Sequence, residues 1–171
     1  PDANGVRIRA ILDLIPYGED WRRAGEYLKQ VLGDIGIKLE LRYEDVPTWL
    51  KRIYHNYDFV MNVNYFYQLP DPVLGVHRHY GTDQIRKGTH FVNSSRYSNS
   101  ELDELLASGA TEANAQKRTQ IYKKIQEILA RDMPVVNLFE LQFLTVYNTK
   151  LKGAYNSALG AYASFSEAYL D

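Results

Sequence analysis

Apolar and polar residues alternate in the segment VRIRAILDL. Val6, Ile8, Ala10, Leu12 and Leu14 interleave with Arg7, Arg9 and Asp13. A period of two over nine residues predicts a strand, with Asp13 on its polar side. IPYG breaks that pattern. From Glu19 the period lengthens: Trp21, Ala24, Leu28, Val31, Leu32 and Ile35 form one helical stripe, with Gly33 and Gly36 marking its end. IKLELRY alternates again, and EDVPTWLKRIY predicts a short helix with Pro47 in its first turn and Trp49, Leu50 and Ile53 facing inward. YDFVMNVNY reads as a third strand. The order over residues 6–65 is therefore β-α-β-α-β. It implies parallel strands joined by right-handed crossovers, in an α/β domain. Open parallel sheets bind ligands at the carboxyl ends of their strands, so IPYG and YFYQLPDP are the loops to watch.

Residues 73–97 carry little periodicity, and a structureless run of that length is usually functional or mobile. Regularity returns at SNSELDELLASG. Here Ser98 and Glu101 have capping-box spacing, Leu102, Leu105 and Leu106 make an inner face, and Gly109 is the predicted stop. In NAQKRTQIYKKIQEILARDMP, Ile121, Ile125, Ile128 and Leu129 share one helix face and Pro134 ends it. PVVNLFE and FLTVYN read as strands, and the tail from Lys152 to Asp171 shows weak local preference.

Composition narrows the function classes. The chain has 171 residues, is 45% hydrophobic and has a net charge of −1, enough for one domain with a core. Near-neutral charge speaks against a nucleic-acid surface, and no apolar run approaches the roughly 20 residues of a membrane span. With zero cysteines there are no disulfides, no thiol catalysis and no cysteine metal sites. The 14 tyrosines suit wet clefts as well as half-buried packing. PDANG, with neither initiator methionine nor signal peptide, points to a processed protein or a piece of a longer one.

Candidate chemistry is sparse. His77 and His79 stand two apart with His90 further on, but no third ligand comes at supporting spacing, so they read as solvated loop histidines and no metal is assigned. The sequence lacks a nucleophile elbow, a phosphate-cradling glycine loop and the H-E-x-x-H pattern, so no catalytic residue and no cofactor are assigned. The basic run QKRTQIYKK is the wet side of its helix. The aromatic loop YFYQLPDP remains, either a stiff exit turn whose tyrosines pack on helices or the wall of a ligand site.

The strings GIKLELRYEDVPTWLKRI, YDFVMNVNYFYQLPDP and SSRYSNSELDELL, followed by AQKRTQIYKKIQEILARDMPVVNLFE, resemble in their order the C-terminal lobe of extracytoplasmic solute-binding proteins of the dipeptide/oligopeptide/nickel family, which serve ABC importers. The resemblance runs from about Val6 to the end. It implies one lobe of a type II periplasmic-binding-protein-like fold, a mostly parallel sheet flanked by helices and spanning residues 1–171, with residues 152–171 returning toward a missing N-terminal lobe. It also implies a periplasmic or other extracytoplasmic location, a peptide or other small-molecule ligand closed in an interlobe cleft, and permease subunits as partners. The alternatives are an enzyme domain with a cleft at the same strand ends and an extracytoplasmic sensor or interaction domain.

The resemblance makes Tyr65, Phe66, Tyr67, Gln68 and Asp71 the ligand-binding candidates. Peptide-binding members place an aspartate at the start of this loop to pair with the peptide's α-ammonium. The matching position here is Gln68 or Tyr67, and neither is an acid. Asp71 matches the acid between the prolines, which in the family looks more like a turn residue. A buried ammonium without a charged partner loses several kcal/mol, so a sugar, an opine or a modified peptide stands beside a free-amine peptide as the expected solute.

Overall fold

The computed structural model describes residues 8–67, 69–142, 144–155, 157, 159–162 and 164–171. It divides into two compact units, one running to Tyr67 and including Arg78–Asp103, the other comprising Gln68–His77 and Glu104–Asp171.

The first unit is built on three parallel strands in the order β2-β1-β3: β1 is Ile8–Leu14, β2 is Ile37–Arg42 and β3 is Met61–Val63. Helix α1, Glu19–Asp34, crosses from β1 to β2. Its N-terminus rests on Gly18, whose φ of 112° lies in a region that costs a side chain strain. Inside the helix, Gly25 faces the Leu14 side chain so closely that an added Cβ would stand 2.5 Å from it. Helix α2, Val46–Leu50, starts at Asp45, whose carboxylate accepts from the Thr48 N–H at 2.8 Å. It continues as a π-helical turn over Lys51–Asn56 that buries both Ile53 and Tyr54. The core gathers Leu12, Leu14, Ile15, Trp21, Leu39, Trp49, Ile53, Tyr54, Val63 and Val92.

Asp13 is a correction. Alternation predicted it on the polar side, yet it is fully buried. Burial in β1 rises along the strand instead of alternating, because β1 is the central strand and its carboxyl-terminal half is covered on both faces. The buried charge is matched. Arg42, the register partner of Asp13 on β2, donates from Nε at 2.6 Å and from Nη2 at 2.8 Å. Arg52 lies 3.8 Å away and pairs with Glu44 at 2.6 Å and with Asp58. Hydrogen bonding to Arg52 holds the Glu44 carboxyl below the usual range.

Residues 73–97 are not structureless. They hold a 3-10 turn at Pro72–Leu74, helix α3 at Val76–Tyr80 and a second 3-10 turn at Thr82–Gln84. Periodicity misses such a segment because side chains tie it down. Within the first unit the buried Asn93 amide donates to the carbonyls of Gly81 and Tyr97 at 3.0 and 2.9 Å. His79 is buried on α3, not a solvated loop histidine.

Helix α4 spans Ser100–Thr111 and α5 spans Ala115–Asp132. The cap of α4 is Asn99, whose side chain accepts from the Leu102 N–H at 3.1 Å, while Ser98 accepts from the Thr82 hydroxyl. Gly109 does not stop this helix. Its bare Cα lets the Tyr122 ring approach, and an added Cβ would lie 3.1 Å from that ring. Asn114 caps α5 by accepting from the Lys117 N–H at 3.0 Å, and Met133 in left-handed conformation ends it. The second unit buries Leu106, Ile125, Ile128 and Ala154 and closes with a short antiparallel pair, β4 at Leu151–Lys152 and β5 at Tyr169–Leu170.

The strands expected at 134–140 and 143–148 are absent among the described residues. Leu144 and Val146 are 90% and 95% exposed, and Val136, Leu138 and Phe139 are also exposed. A helix satisfies its own backbone, whereas a strand needs a neighbouring ladder, so a strand-like pattern alone does not make a strand.

Candidate functional site

In the first unit the loops after β1 and β3 meet, as the parallel topology requires. The Ile15 N–H donates to the Val63 carbonyl at 3.1 Å and extends the β1–β3 pairing beyond the strands. From there the IPYG loop brings up Tyr17, and the loop after β3 brings up Asn64 and Tyr65. The Tyr65 ring stacks on Trp21 at 5.5 Å and meets Tyr17 edge-on at 5.9 Å. Tyr17 remains 42% exposed, so the group has a face open to solvent. Below it the Asn64 amide donates to the Tyr54 hydroxyl at 2.7 Å. Burial pushes the Tyr54 hydroxyl up to about 12 and also raises Tyr17, with Tyr65 adding to the latter. These phenols remain neutral hydrogen-bonding groups.

Phe66 and Tyr67 lead to a second cluster of the same unit. Phe66 lies against the His79 ring with centroids 3.6 Å apart. Arg78 donates from Nη2 to the Tyr67 carbonyl at 3.0 Å and from Nε to His79 Nε2 at 3.3 Å. That second bond makes Nε2 an acceptor, so the proton of a neutral ring sits on Nδ1. Burial, reinforced by Arg78, lowers His79 to about 3, so the ring stays neutral in the native protein.

Asp71 sits in the second unit and is occupied. Its carboxylate caps the 3-10 turn by accepting from the Val73 N–H at 2.9 Å and pairs with Arg118 at 2.7 Å. The Arg118 hydrogen bond, then that of Val73, holds the carboxyl below its usual range. Arg118 also donates to the Gly109 carbonyl at 2.9 Å, and His77 shares a hydrogen bond with Tyr122 at 3.1 Å. Gln68 lies outside the described residues.

Of the sequence candidates, then, Tyr65, Phe66 and Tyr67 stand with Tyr17, Trp21, Asn64 and Arg78 in one unit, and Asp71 is a turn residue with its own arginine in the other. Sequence reading flagged the IPYG loop without naming Tyr17, and it assigned Trp21 to the helix stripe alone. Nothing in the local pattern marked Arg78. Among the described residues no three His, Asp or Glu side chains come together as a metal site. The first unit offers ring faces, amide and phenol hydrogen bonds and a guanidinium, which can bind a solute.

No protein-family model matches the chain. The peptide transport periplasmic protein SapA of Haemophilus influenzae is 24% identical over 151 residues, 86% of this chain and 26% of SapA. Among solved structures, AppA of Clostridium difficile, named as a candidate peptide-binding protein, aligns over 99% of this chain and 35% of its own. Its identity is 25% and its TM-score 0.77. The ABC transporter substrate-binding protein CtaP of Listeria monocytogenes is 28% identical over 72% of this chain and 24% of its own, with a TM-score of 0.59. The chain thus spans about a quarter to a third of the proteins it matches. No helix among the described residues is long and apolar enough to cross a membrane. In sequence and fold, the chain resembles a portion of the extracytoplasmic solute-binding proteins of ABC importers, dipeptide/oligopeptide/nickel type, and carries their α/β periplasmic-binding-protein architecture.

Proposed function

We propose that the chain forms the C-terminal lobe of the solute-binding component of an ABC import system, one wall of an interlobe cleft that captures a peptide or other small polar solute for a membrane permease. In this reading it acts outside the cytoplasm, binds without catalysing, and residues 152–171 return toward the N-terminal lobe. The observation that carries the reading is the aromatic group of Tyr17, Trp21 and Tyr65 at the carboxyl ends of β1 and β3, where an open parallel sheet takes its ligand. Tyr65, Phe66 and Tyr67 belong to that wall; Gln68 lies outside the described residues, and Asp71 serves its own turn in the second unit.

The test uses the full-length protein that contains this chain. Native mass spectrometry of freshly purified protein should find a co-purified solute, and adding that solute should raise the unfolding temperature while the solute is recovered unchanged. Conversion of the solute into a product would replace this reading with an enzyme. The 171-residue chain alone should bind the same solute weakly, because a pocket normally covers most of its ligand and a single wall does not. Submicromolar affinity of the isolated chain would contradict the two-walled cleft.

A further inference from the structure

Two histidines distant in sequence meet on the surface of the first unit. His55 lies in the π-helical turn over Lys51–Asn56, and His90 follows the second 3-10 turn. Their ring centroids stand 5.5 Å apart, with the planes tilted by 57° rather than stacked. Both residues are exposed, and neither ring makes a hydrogen bond or ion pair among the described residues. The backbone bends to produce this meeting. Gly88, at φ 87°, donates its N–H to the Tyr54 carbonyl at 2.8 Å. Its bare Cα lets the His55 ring approach, since an added Cβ would lie 3.3 Å from Cε1. Phe91, at φ 57°, turns its own ring toward Tyr54, with centroids 5.7 Å apart. Tyr57, at φ 51°, ends the turn that carries His55, and the Arg96 guanidinium, itself on a residue at φ 58°, lies 5.3 Å over the Tyr57 ring. Three of the four non-glycine residues with positive φ among the described residues thus flank this pair. A bulky side chain in that region is strained, and such strain, like a π-helical turn, gathers at functional positions.

We propose that His55 and His90 form a surface site for a divalent transition-metal ion of the zinc and copper kind, held by one nitrogen of each ring with water in the remaining positions. The separation suits it. With about 2.1 Å from each nitrogen to the ion, two imidazoles sharing a tetrahedral metal stand with centroids roughly 5–6 Å apart. Imidazole selects such ions over Ca2+ and Mg2+, which take oxygen ligands. Exposure leaves each ring free to turn a nitrogen inward, and the backbone fixed at Gly88 and Phe91 removes much of the entropy cost of bringing the two rings together. The bound ion joins the π-helical turn to the loop that leads to α4, two segments otherwise held here by the Gly88 hydrogen bond and the Tyr54 contacts. This site stands independently of the solute-binding reading.

The experiment titrates Zn2+ by calorimetry into the full-length protein that contains this chain, first stripped of metal. His55→Gln and His90→Gln should each weaken binding at least about tenfold, because losing a ligand costs no less than losing a group that supports one. Zn2+ should raise the unfolding temperature of the native protein and leave that of either variant unchanged, since an ion stabilises only the fold that binds it. Cu2+ in place of Zn2+ should give an electron paramagnetic resonance spectrum with two coordinated imidazoles, reduced to one in each variant. Both side chains are exposed, so without metal the variants should unfold at the native temperature, and that control separates loss of the site from loss of the fold. Zn2+ affinity unaltered in either variant, a copper signal without two imidazoles, or Ca2+ binding as tight as Zn2+ would each overturn the site. None of these results touches the import reading, which fails by turnover or by absence of a bound solute.

Discussion

Replacing Asp13 by asparagine removes one charge from the fully buried end of β1 and barely changes shape. Of the two bonds that Arg42 makes to that carboxylate, at 2.6 and 2.8 Å, the amide can accept only one, now without charge assistance, and its NH2 faces the other guanidinium donor, while Arg52 loses a negative charge 3.8 Å away. Removing one partner of a buried ion pair costs about 3–5 kcal/mol, because the other charge is left uncompensated. Arg42 keeps 26% of its side chain exposed and Arg52 keeps Glu44 and Asp58, which argues for the lower end. We expect a loss of about 3 kcal/mol, a large part of the roughly 5–15 kcal/mol that holds a domain together. Both tryptophans, Trp21 and Trp49, lie in the core of this unit, so their fluorescence in a urea titration reports its unfolding. With a slope of about 2 kcal/mol/M, the midpoint should fall by about 1.5 M. The double variant Asp13→Leu/Arg42→Met, which removes the pair together, should recover most of the loss. A cost below about 1 kcal/mol for Asp13→Asn, or additive costs in the double variant, would refute the reasoning.

Acid should destabilise the first unit through His79, whose native pKa is near 3 against 6.5 when unfolded. A lowered pKa stabilises fully above the unfolded value, and that contribution is lost as pH falls from about 6.5 toward 3. Between pH 7 and pH 5 the loss is on the order of 2 kcal/mol, and urea midpoints of the native chain and of His79→Leu at the two pH values should show it only in the former. Gly25→Ala should destabilise by about 1–2 kcal/mol, since its Cβ would press on the buried Leu14 side chain. Gly33→Ala, with no atom within 4 Å of the added Cβ, should stabilise by up to about 1 kcal/mol; equal effects of the two in thermal unfolding would refute the close contact. Asn114→Ala should cost about 1 kcal/mol by removing the α5 cap, read from the same melts.

The parts legible in the sequence were those whose hydrophobic spacing and hydrogen bonds are local. Trp21, Leu28 and Leu32 marked α1, Ile125 and Ile128 marked α5, and alternation found β2, whose two faces differ. Period two misplaced Asp13 because a central strand is covered on both faces, and whether a charge there is tolerated depends on Arg42, distant in sequence. Leu144 and Val146 carry a strand's pattern without a ladder to join. Asn99 and Ser98 both suit a cap, and only geometry decides which side chain reaches the Leu102 N–H. Arg78 had no readable mark, since its bonds to the Tyr67 carbonyl and to His79 are set by the fold. The fold class and the aromatic loop after β3 could be read from one chain, whereas the partners of Tyr65 and Arg78 required three dimensions.

The register of β1 and β2 gives the Asp13–Arg42 pair a further effect during assembly. Opposite neighbours in this ladder include Ile11 with Glu40 and Asp13 with Arg42. A slip by one residue would turn every side chain of β2 to the wrong face. A slip by two keeps the faces and is the more dangerous error. In one direction it sets Asp13 against Glu40, and in the other against Glu44, two residues past the strand's end. Either mispairing puts like charges face to face and leaves the arginine without its carboxylate, in the part of the sheet least accessible to water. A single buried pair thus proofreads strand alignment in both directions, and a chain lacking it would be expected to collect in misaligned intermediates before reaching the native sheet.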